Sequence, residues 1–316
     1  MRKSVEKREK MDEWGGIWTV KKKEVLKRYL DTYQIALKNK PFEKWYIDAF
    51  AGVGTHSSGE ESDSNPFFSL DFGDEDVEQE LTFRRQGSPL LALQTIPPFD
   101  RYIFIEKAVK RCAVLSSIID EHRCGKSIDV VNKDANEYLA TICDEITLRR
   151  REIRAVLFLD PYGMQVSWDS LKTVAATGVF DVWYLFPTMS VKRMLPKSAR
   201  IDPSWVRRLD AVLGTSDWKS SLFVPDESRI GQIRLFAEQP DFEKVRPVCE
   251  SDIEKYAVER LKSIFPFVVD EPLPLYNTRG KHIFSFVFAM SNRDKAAIRL
   301  GEKIAKHIIK INREVT

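Results

Sequence analysis

The chain has 316 residues and a mass of 36.6 kDa, and 43% of its residues are hydrophobic. It is therefore long enough to bury a full core, either as one enlarged domain or as a domain that carries an insertion. No uncharged apolar run approaches the roughly 18 to 20 residues that a membrane helix needs, so we expect no membrane span and a cytoplasmic location. A net charge of +3 and a pI near 8.5 permit an anionic partner without requiring one.

The cysteines show no spacing typical of a metal centre. The sequence has no C-x-x-C pair and no set of histidines near a cysteine, so neither a zinc site nor an iron–sulfur site is predicted. Reduced thiols are expected at Cys112, Cys124, Cys143 and Cys249.

Hydrophobic periodicity predicts alternating helices and strands over about the first 190 residues. Apolar residues at helical spacing predict an amphipathic helix at 20–37, and the apolar run at 44–50 predicts a buried strand that ends in a glycine turn. Strands that alternate with helices and are apolar on both faces indicate a parallel sheet covered by helices. The later helices are predicted at 87–93, 109–119, 135–148 and 170–177, and the later strands at 102–106, 128–132, 155–160 and 181–186.

Two segments depart from this alternation. Residues 59–86 are strongly acidic with few aliphatic side chains, which predicts a solvated insertion loop, with an acidic lid as the alternative. Residues 188–265 carry basic residues and tryptophans but few strand patterns, which predicts an inserted, mainly helical subdomain that binds a substrate or a partner.

A hairpin is predicted near the C-terminus. Strands at 267–275 and 283–288 are joined by a short turn with Asn277 and Gly280, and a helix follows at 293–311. The expected fold class is therefore α/β, with a mainly parallel sheet, a C-terminal antiparallel hairpin and the helical insertion. The core is expected to consist of residues 1–187 and 266–316.

The first candidate site is the turn after the first predicted strand, formed by Asp48, Phe50, Gly52 and Gly54. Glycines at this point of an α/β sheet let the backbone approach a ligand closely. A carboxylate at the strand end can bind a cationic or amino group, such as the one on a methionine-derived cofactor.

Glu106 ends the second predicted strand, where a carboxylate can accept hydrogen bonds from both hydroxyls of a ribose. Dehydrogenases use a carboxylate in the same way, but their turn has the pattern G-x-G-x-x-G and the acid follows after about 20 residues. Here Ser57 occupies the third glycine position and a long insertion precedes Glu106, which disfavours a dehydrogenase.

Asp134 and Ala135 follow the third predicted strand. Asp134 can accept a hydrogen bond from an adenine amino group, and the small Ala135 allows a close contact. An equal alternative is that Asp134 is the N-cap of the next helix.

The fourth candidate site is Asp160-Pro161-Tyr162-Gly163, which follows the fourth predicted strand. Methyl transfer to an amino group needs a nearly collinear approach and an available lone pair on the nitrogen. Asp160 can accept one amino hydrogen, Pro161 offers a carbonyl without a competing N–H, and Tyr162 offers a flat face for an extruded base. The alternative is an ordinary Asp-Pro turn.

These four motifs in this order resemble the cofactor and active-site motifs of class I methyltransferases, and more closely those of the bacterial three-Cys-motif partner family. The likeness covers about the first 190 residues. It implies a Rossmann-type methyltransferase core, S-adenosylmethionine as the cofactor, and a protein partner that carries the three cysteines. The residues that carry the likeness are Trp18, 21–33, 46–54, 87–89, 104–106, 134–136, 160–163 and Trp168.

The fourth motif also suggests the acceptor. Nucleic-acid amino-methyltransferases carry Asp or Asn, then Pro-Pro, then an aromatic residue, whereas here the aromatic Tyr162 stands one place earlier and Gly163 follows. This arrangement is similar to the Asp-Pro-Phe-Gly of tRNA guanine dimethyltransferases. We therefore expect a methyltransferase that acts on an amino nitrogen of a base in tRNA or DNA. The alternative is a non-catalytic S-adenosylmethionine-binding subunit of a modification or defence complex.

A basic tract in the predicted insertion is a candidate nucleic-acid surface. Basic side chains interleaved with an aromatic ring can hold phosphates and stack a base. Solvated helix faces are an equal alternative. The predicted contacts are Lys192, Arg193, Lys197, Arg200 and Trp205.

Overall fold

The computed structural model describes residues 17–53, 86–123, 125–195, 201–223 and 248–314. Within them, a sheet of eight strands has the order β3-β2-β1-β4-β5-β8-β6, and β7 also pairs with β8. The strands are β1 (Glu43–Asp48), β2 (Arg101–Ile105), β3 (Ser127–Val131), β4 (Ile153–Leu159), β5 (Phe180–Phe186), β6 (Phe267–Val268), β7 (Leu273–Tyr276) and β8 (His282–Met290).

Helices alternate with the first five strands and continue beyond them. They are α1 (Ile17–Ala36), α2 (Ser88–Leu93), α3 (Val109–His122), α4 (Ala135–Leu148), α5 (Trp168–Thr177), α6 (Thr188–Arg193), α7 (Pro203–Leu213), α8 (Trp218–Leu222), α9 (Glu250–Lys262) and α10 (Lys295–Glu314). Each helix of the described part is too short or too polar to span a bilayer. Apart from Gln86, the predicted acidic insertion 59–86 lies outside the described residues.

The first five strands are parallel, and β1 lies between β2 and β4. Trp45, Tyr46 and Ile47 of β1 are fully buried, as the apolar run predicts. Asp48 at the end of β1 lies level with Phe104 of β2 and Phe158 of β4. This register brings the carboxyl ends of the central strands to one edge of the sheet. The predicted α/β class with a mainly parallel sheet is confirmed.

The C-terminal hairpin is present, but its first strand is divided in two. Phe267 of β6 pairs with Met290, whereas Leu273 of β7 pairs with Phe286, so the two short strands lie one after the other along β8. Pro272 precedes β7, and proline has a fixed φ and no N–H to donate to a strand ladder. The prediction of one continuous strand at 267–275 was therefore wrong.

The helices between β5 and β6 pack on the core through Trp168. The guanidinium of Arg260 in α9 lies 4.7 Å from the centroid of the Trp168 ring, and its Nε donates to the carbonyl oxygen of Leu213 at 3.0 Å. Gly214 ends α7 with a φ of +70°, and a Cβ there would lie 2.0 Å from the Trp168 ring. Only glycine allows this close approach.

Helix α1 is held against β5 by a buried hydrogen bond. The Tyr29 hydroxyl donates to Oδ2 of Asp181 at 2.6 Å, across 152 residues of sequence. Burial raises the pKa of Asp181 to about 7, although the Tyr29 hydrogen bond and the charge of Arg154 oppose the rise. Since Asp181 is near the start of β5, this contact lies at the edge of the sheet opposite the strand ends described above.

We predict that Gly214→Ala destabilises the protein by about 2–4 kcal/mol, because the new methyl group meets the Trp168 ring and φ stays positive. Gly280→Ala is a matched control, since its φ is also +70° but a Cβ there would meet no atom of the described part of the chain within 4 Å. The control should lose only about 1 kcal/mol. Urea unfolding of both variants measures the difference, and equal losses would contradict the proposed steric contact.

We also predict that Asp181 makes stability fall as pH rises. Its folded pKa of about 7 exceeds the ordinary value of 3.8, so the folded state binds more protons between these two pH values. Asp181→Asn should flatten the decline over that window by up to about 1.4 kcal/mol per pH unit. Tyr29→Phe removes a hydrogen bond that lowers this pKa and should extend the decline to higher pH. Urea unfolding across the window is the measurement, and a slope that Asp181→Asn leaves unaltered would refute the assignment.

Candidate functional site

The predicted acidic residues of the first, second and fourth motifs come together at the carboxyl ends of neighbouring strands. Because Asp48 is level with Phe104 and Phe158, Glu106 and Asp160 each stand two residues beyond it on the flanking strands. Ala51 donates its N–H to the carbonyl oxygen of Ile105 at 2.9 Å, which holds the turn after β1 beside the end of β2. Adjacent strands are about 4.8 Å apart, and α/β sheets form their crevices at such strand ends, so we infer that these side chains line one crevice.

Asp48 is a fully buried carboxylate with one unsatisfied oxygen. Its Oδ1 accepts a hydrogen bond from the Phe50 N–H at 3.2 Å, whereas Oδ2 has no hydrogen-bond partner within the described chain. Burial raises the pKa of Asp48 to about 7, the Ser88 side chain lowers it, and the charge of Asp160 raises it. A cationic group that reached Oδ2 would therefore complete an unsatisfied site.

The turn after Asp48 leaves room for a ligand. Gly52 has a φ of +65°, which favours glycine, and a Cβ there would meet no atom of the described residues within 4 Å. Phe50 is half-buried at the start of the turn. Gly54, the last predicted residue of this motif, lies outside the described residues.

Ser88 has a different role from the one its position in the sequence suggests. A serine directly before a proline such as Pro89 is typical of an N-cap, but the N-cap of α2 is Gly87 and no side chain caps the helix. The Ser88 side chain interacts with Asp48 instead.

Glu106 is buried and uses one oxygen to hold the local backbone. Its Oε1 accepts the N–H of Ala108 at 2.7 Å and Nε of Arg111 at 3.2 Å. Oε2 accepts no hydrogen bond from the residues that the structure describes. The Asn132 side chain donates to the backbone oxygens of Glu106 and Lys107, both at 2.9 Å. These two hydrogen bonds hold the backbone at the end of β2 in place.

Asp134 is the N-cap of α4, as one of the two interpretations required. Its Oδ1 accepts the N–H of Asn136 at 2.9 Å, and its Oδ2 pairs with Nζ of Lys107 at 3.0 Å. Burial pushes the pKa of Asp134 up, but the hydrogen bonds from Lys107 and Asn136 outweigh it and lower the pKa. Ala135 is buried beside it. A contact with adenine stays a prediction.

Asp160 is engaged by a residue that was not among the predicted site residues. Nζ of Lys22 in α1 forms an ion pair with Oδ2 of Asp160, across 138 residues. Only the position of Lys22 in the segment of family resemblance could have drawn attention to it. Pro161 is buried, and Tyr162 is 69% exposed.

Asn136 ties the loop after β4 to α4. Its Nδ2 donates to the carbonyl oxygen of Gln165 at 2.9 Å, and its Oδ1 accepts from the Ser167 N–H at 2.9 Å and the Ser170 hydroxyl at 2.8 Å. These contacts fix the loop that follows Asp160.

The predicted nucleic-acid surface is described only in part. Nζ of Lys192 pairs with Oε2 of Glu250 at 2.6 Å, whereas Arg193 is exposed and Trp205 is 40% exposed. Arg207 and Arg208, next to Trp205 on α7, are also exposed. Lys197 and Arg200 lie outside the described residues.

We predict that Asn136→Ala loosens the loop at 162–167, because the hydrogen bonds of the side chain with Gln165, Ser167 and Ser170 are lost. The variant should be destabilised by about 2 kcal/mol, and the amides of this loop should exchange with solvent faster. Hydrogen exchange read by mass spectrometry is the measurement. Asn292→Ala, which removes a hydrogen bond to the Asp294 N–H elsewhere, is the control. Unchanged exchange in the loop would show that Asn136 does not hold it.

No family model matches the chain, and no curated protein matches it. The similar solved structures include protein LPL1258 from Legionella pneumophila, of family model DUF519, at 15% identity and a TM-score of 0.41 over 66% of this chain and 76% of that one. They also include Trm1 from Pyrococcus horikoshii in complex with S-adenosyl-L-methionine, at 12% identity and a TM-score of 0.42 over 90% of this chain and 57% of that one. Membership of the three-Cys-motif partner family is not confirmed. The reaction must therefore be argued from the residues of this chain.

Proposed function

We propose that this protein is an S-adenosylmethionine-dependent methyltransferase that acts on an amino nitrogen of a nucleic-acid base. The observation that carries the proposal is the buried Oδ2 of Asp48, which lacks a partner in the described chain at the end of the central parallel strand. Glu106 and Asp160 stand at the ends of the two flanking strands. Ligands of α/β sheets bind at this edge.

The residues at the crevice fit the parts of the cofactor. Asp48 would bind the α-amino group of the methionine part, and the backbone at Gly52 would lie close to it. Oε2 of Glu106 would accept from the ribose hydroxyls, and Asp134 with Ala135 would contact the adenine. When bound, the cofactor would supply a methyl group on a positively charged sulfur. The lone pair of the acceptor nitrogen would form the new N–C bond as the S–C bond breaks, which leaves a neutral thioether, and the nitrogen would release one proton to solvent.

The residues after β4 would hold the acceptor. Asp160 would accept a hydrogen bond from one N–H of the acceptor amino group, and the carbonyl oxygen of Pro161 would accept one from the other N–H. The lone pair of the amino nitrogen would then point at the methyl group. Tyr162, with its exposed ring, would stack on the base. Positioning of the nitrogen supplies most of the rate in such a site.

The segment 188–265, which carries helices α6 to α9, would bind the rest of the substrate or a protein partner. Arg207 and Arg208 are exposed on α7 next to the exposed ring of Trp205, and Arg193 is exposed on α6, which supports contacts with phosphates and one base. Lys192, already paired with Glu250, would contribute less. We propose that this segment binds a tRNA or DNA. A protein that carries three cysteines is the second candidate.

One observation favours a second function, a non-catalytic subunit that binds S-adenosylmethionine. Asp160 is already paired with Lys22, so its carboxylate is less available to an acceptor than the motif alone suggests. Such a subunit would bind the cofactor in the same crevice without turning it over.

We predict that the protein binds S-adenosylmethionine and that Asp48→Asn weakens binding by about 10- to 100-fold, because a charged hydrogen bond is lost. Asp181→Asn is a matched control, since it also removes a buried carboxylate with a pKa of about 7, but at the opposite edge of the sheet. Isothermal titration calorimetry at pH 8 measures both. Absence of binding by the unaltered protein at high micromolar concentration would overturn the proposal.

Methyl transfer separates the two candidate functions. Incubation with labelled S-adenosylmethionine and tRNA, DNA or protein should label a nucleic acid, and Asp160→Ala should abolish the labelling. Cofactor binding without transfer to any of the three acceptors would favour the non-catalytic subunit.

A further inference from the structure

A lysine of α1 is buried between an aromatic ring and the acceptor-site carboxylate. Lys22 is 7% exposed, its Nζ lies 4.9 Å from the centroid of the Trp18 ring, and the same Nζ pairs with Asp160. The Trp18 ring packs against Phe284 of β8, with 5.1 Å between centroids. A cation over an indole ring and against a carboxylate is stabilised on two sides.

The core determines where Lys22 lies. Val25 and Leu26 of α1 are fully buried, and Tyr29 is hydrogen-bonded to Asp181 in β5. The helix therefore cannot turn its lysine away from Asp160 without breaking this packing. Removing a lysine from water costs free energy unless the lysine is paired. The Asp160 carboxylate and the Trp18 ring therefore offset the cost of burying Lys22.

The ion pair leaves half of the Asp160 carboxylate for another partner. Lys22 contacts Oδ2, and Oδ1 has no hydrogen bond to the residues that the structure describes. The Asp160 side chain is 24% exposed, so a ligand can reach it.

We propose that Lys22 is a positioning residue of the acceptor site: by holding Oδ2 of Asp160, it orients the carboxylate so that Oδ1 accepts the acceptor's amino hydrogen. This inference rests on the proposed methyltransferase function. Lys22 would act through Asp160 without contacting the reacting atoms. The ion pair then belongs to the working site and does not block it.

The charges of Lys22 and Asp160 also affect cofactor binding, because both change the pKa of Asp48. Apart from burial and the Ser88 side chain, the charge of Asp160 raises the pKa of Asp48 and that of Lys22 lowers it. The Tyr46 hydroxyl of β1 is a further ionisable group close to both carboxylates, because burial and then the charges of Asp48 and Asp160 raise its pKa well above the ordinary value. Since an ammonium group binds the ionised carboxylate, affinity should rise with pH until Asp48 is deprotonated, at about 7.

The variants Lys22→Met and Asp160→Asn should move this pH dependence in opposite directions. Loss of the lysine charge removes an effect that lowers the pKa of Asp48, so the midpoint of the affinity profile should shift to higher pH. Loss of the Asp160 charge should lower the midpoint. Lys22→Arg keeps the charge and should retain the midpoint of the unaltered protein.

Lys27→Met is the matched control, because Lys27 is a half-buried lysine of the same helix that pairs with Asp31 at 2.5 Å. Calorimetry with S-adenosylhomocysteine, which carries the same amino group, gives the dissociation constant between pH 5.5 and 8.5. Thermal unfolding checks that each variant is folded. If Lys22→Met does not fold, Lys22→Arg and Asp160→Asn still test the coupling.

The rate of methyl transfer completes the test. At a pH above both midpoints, Lys22→Met should bind the cofactor normally but transfer methyl groups about tenfold more slowly, and Lys22→Arg should restore most of the rate. Transfer at the normal rate by Lys22→Met, or a midpoint shift no larger than that of Lys27→Met, would overturn the inference. Failure of the unaltered protein to bind S-adenosylhomocysteine would instead overturn the proposed function.

Discussion

A carboxylate buried at the end of the central parallel strand is the constraint on which the rest of the site depends. Asp48 has no exposed surface, and one of its oxygens has no partner within the described chain. A buried ionised group needs compensation by hydrogen bonds or opposite charge. The Phe50 N–H, the Ser88 side chain and the charge of Lys22 supply part of it, which leaves a place suited to a cationic group of a ligand.

The fold keeps these charges together through contacts that are distant in sequence. The parallel register places the ends of β1, β2 and β4 at one edge, and α1 crosses the sheet from this edge to Asp181 at the other. The helices after β5 are joined to the core through Trp168 and Arg260. The crevice is therefore lined by elements whose positions are set by buried contacts, as a site that works by positioning requires.

Much of this architecture could be predicted from local pattern. The helix at 135–148 has the predicted bounds, and β1 to β5 lie within two residues of theirs. The errors have local physical causes. Pro272, which has no N–H to donate to a ladder, lies in the break that separates β6 from β7 in the expected strand. Lys192 was predicted to contact a nucleic acid, but its charge is paired with that of Glu250. An ion pair between two helices that are distant in the chain produces no pattern in the local sequence.

By itself the sequence determined the alternation of strands and helices and the presence of a carboxylate near the end of successive strands, because periodicity and strand ends are local properties of the chain. Only the tertiary structure decided which oxygens keep partners. Oδ2 of Asp48 is left unsatisfied and Oδ2 of Asp160 is held by Lys22 because packing brings together residues far apart in the chain. Burial and neighbouring charges set the protonation of such groups, and both arise only when the chain is folded.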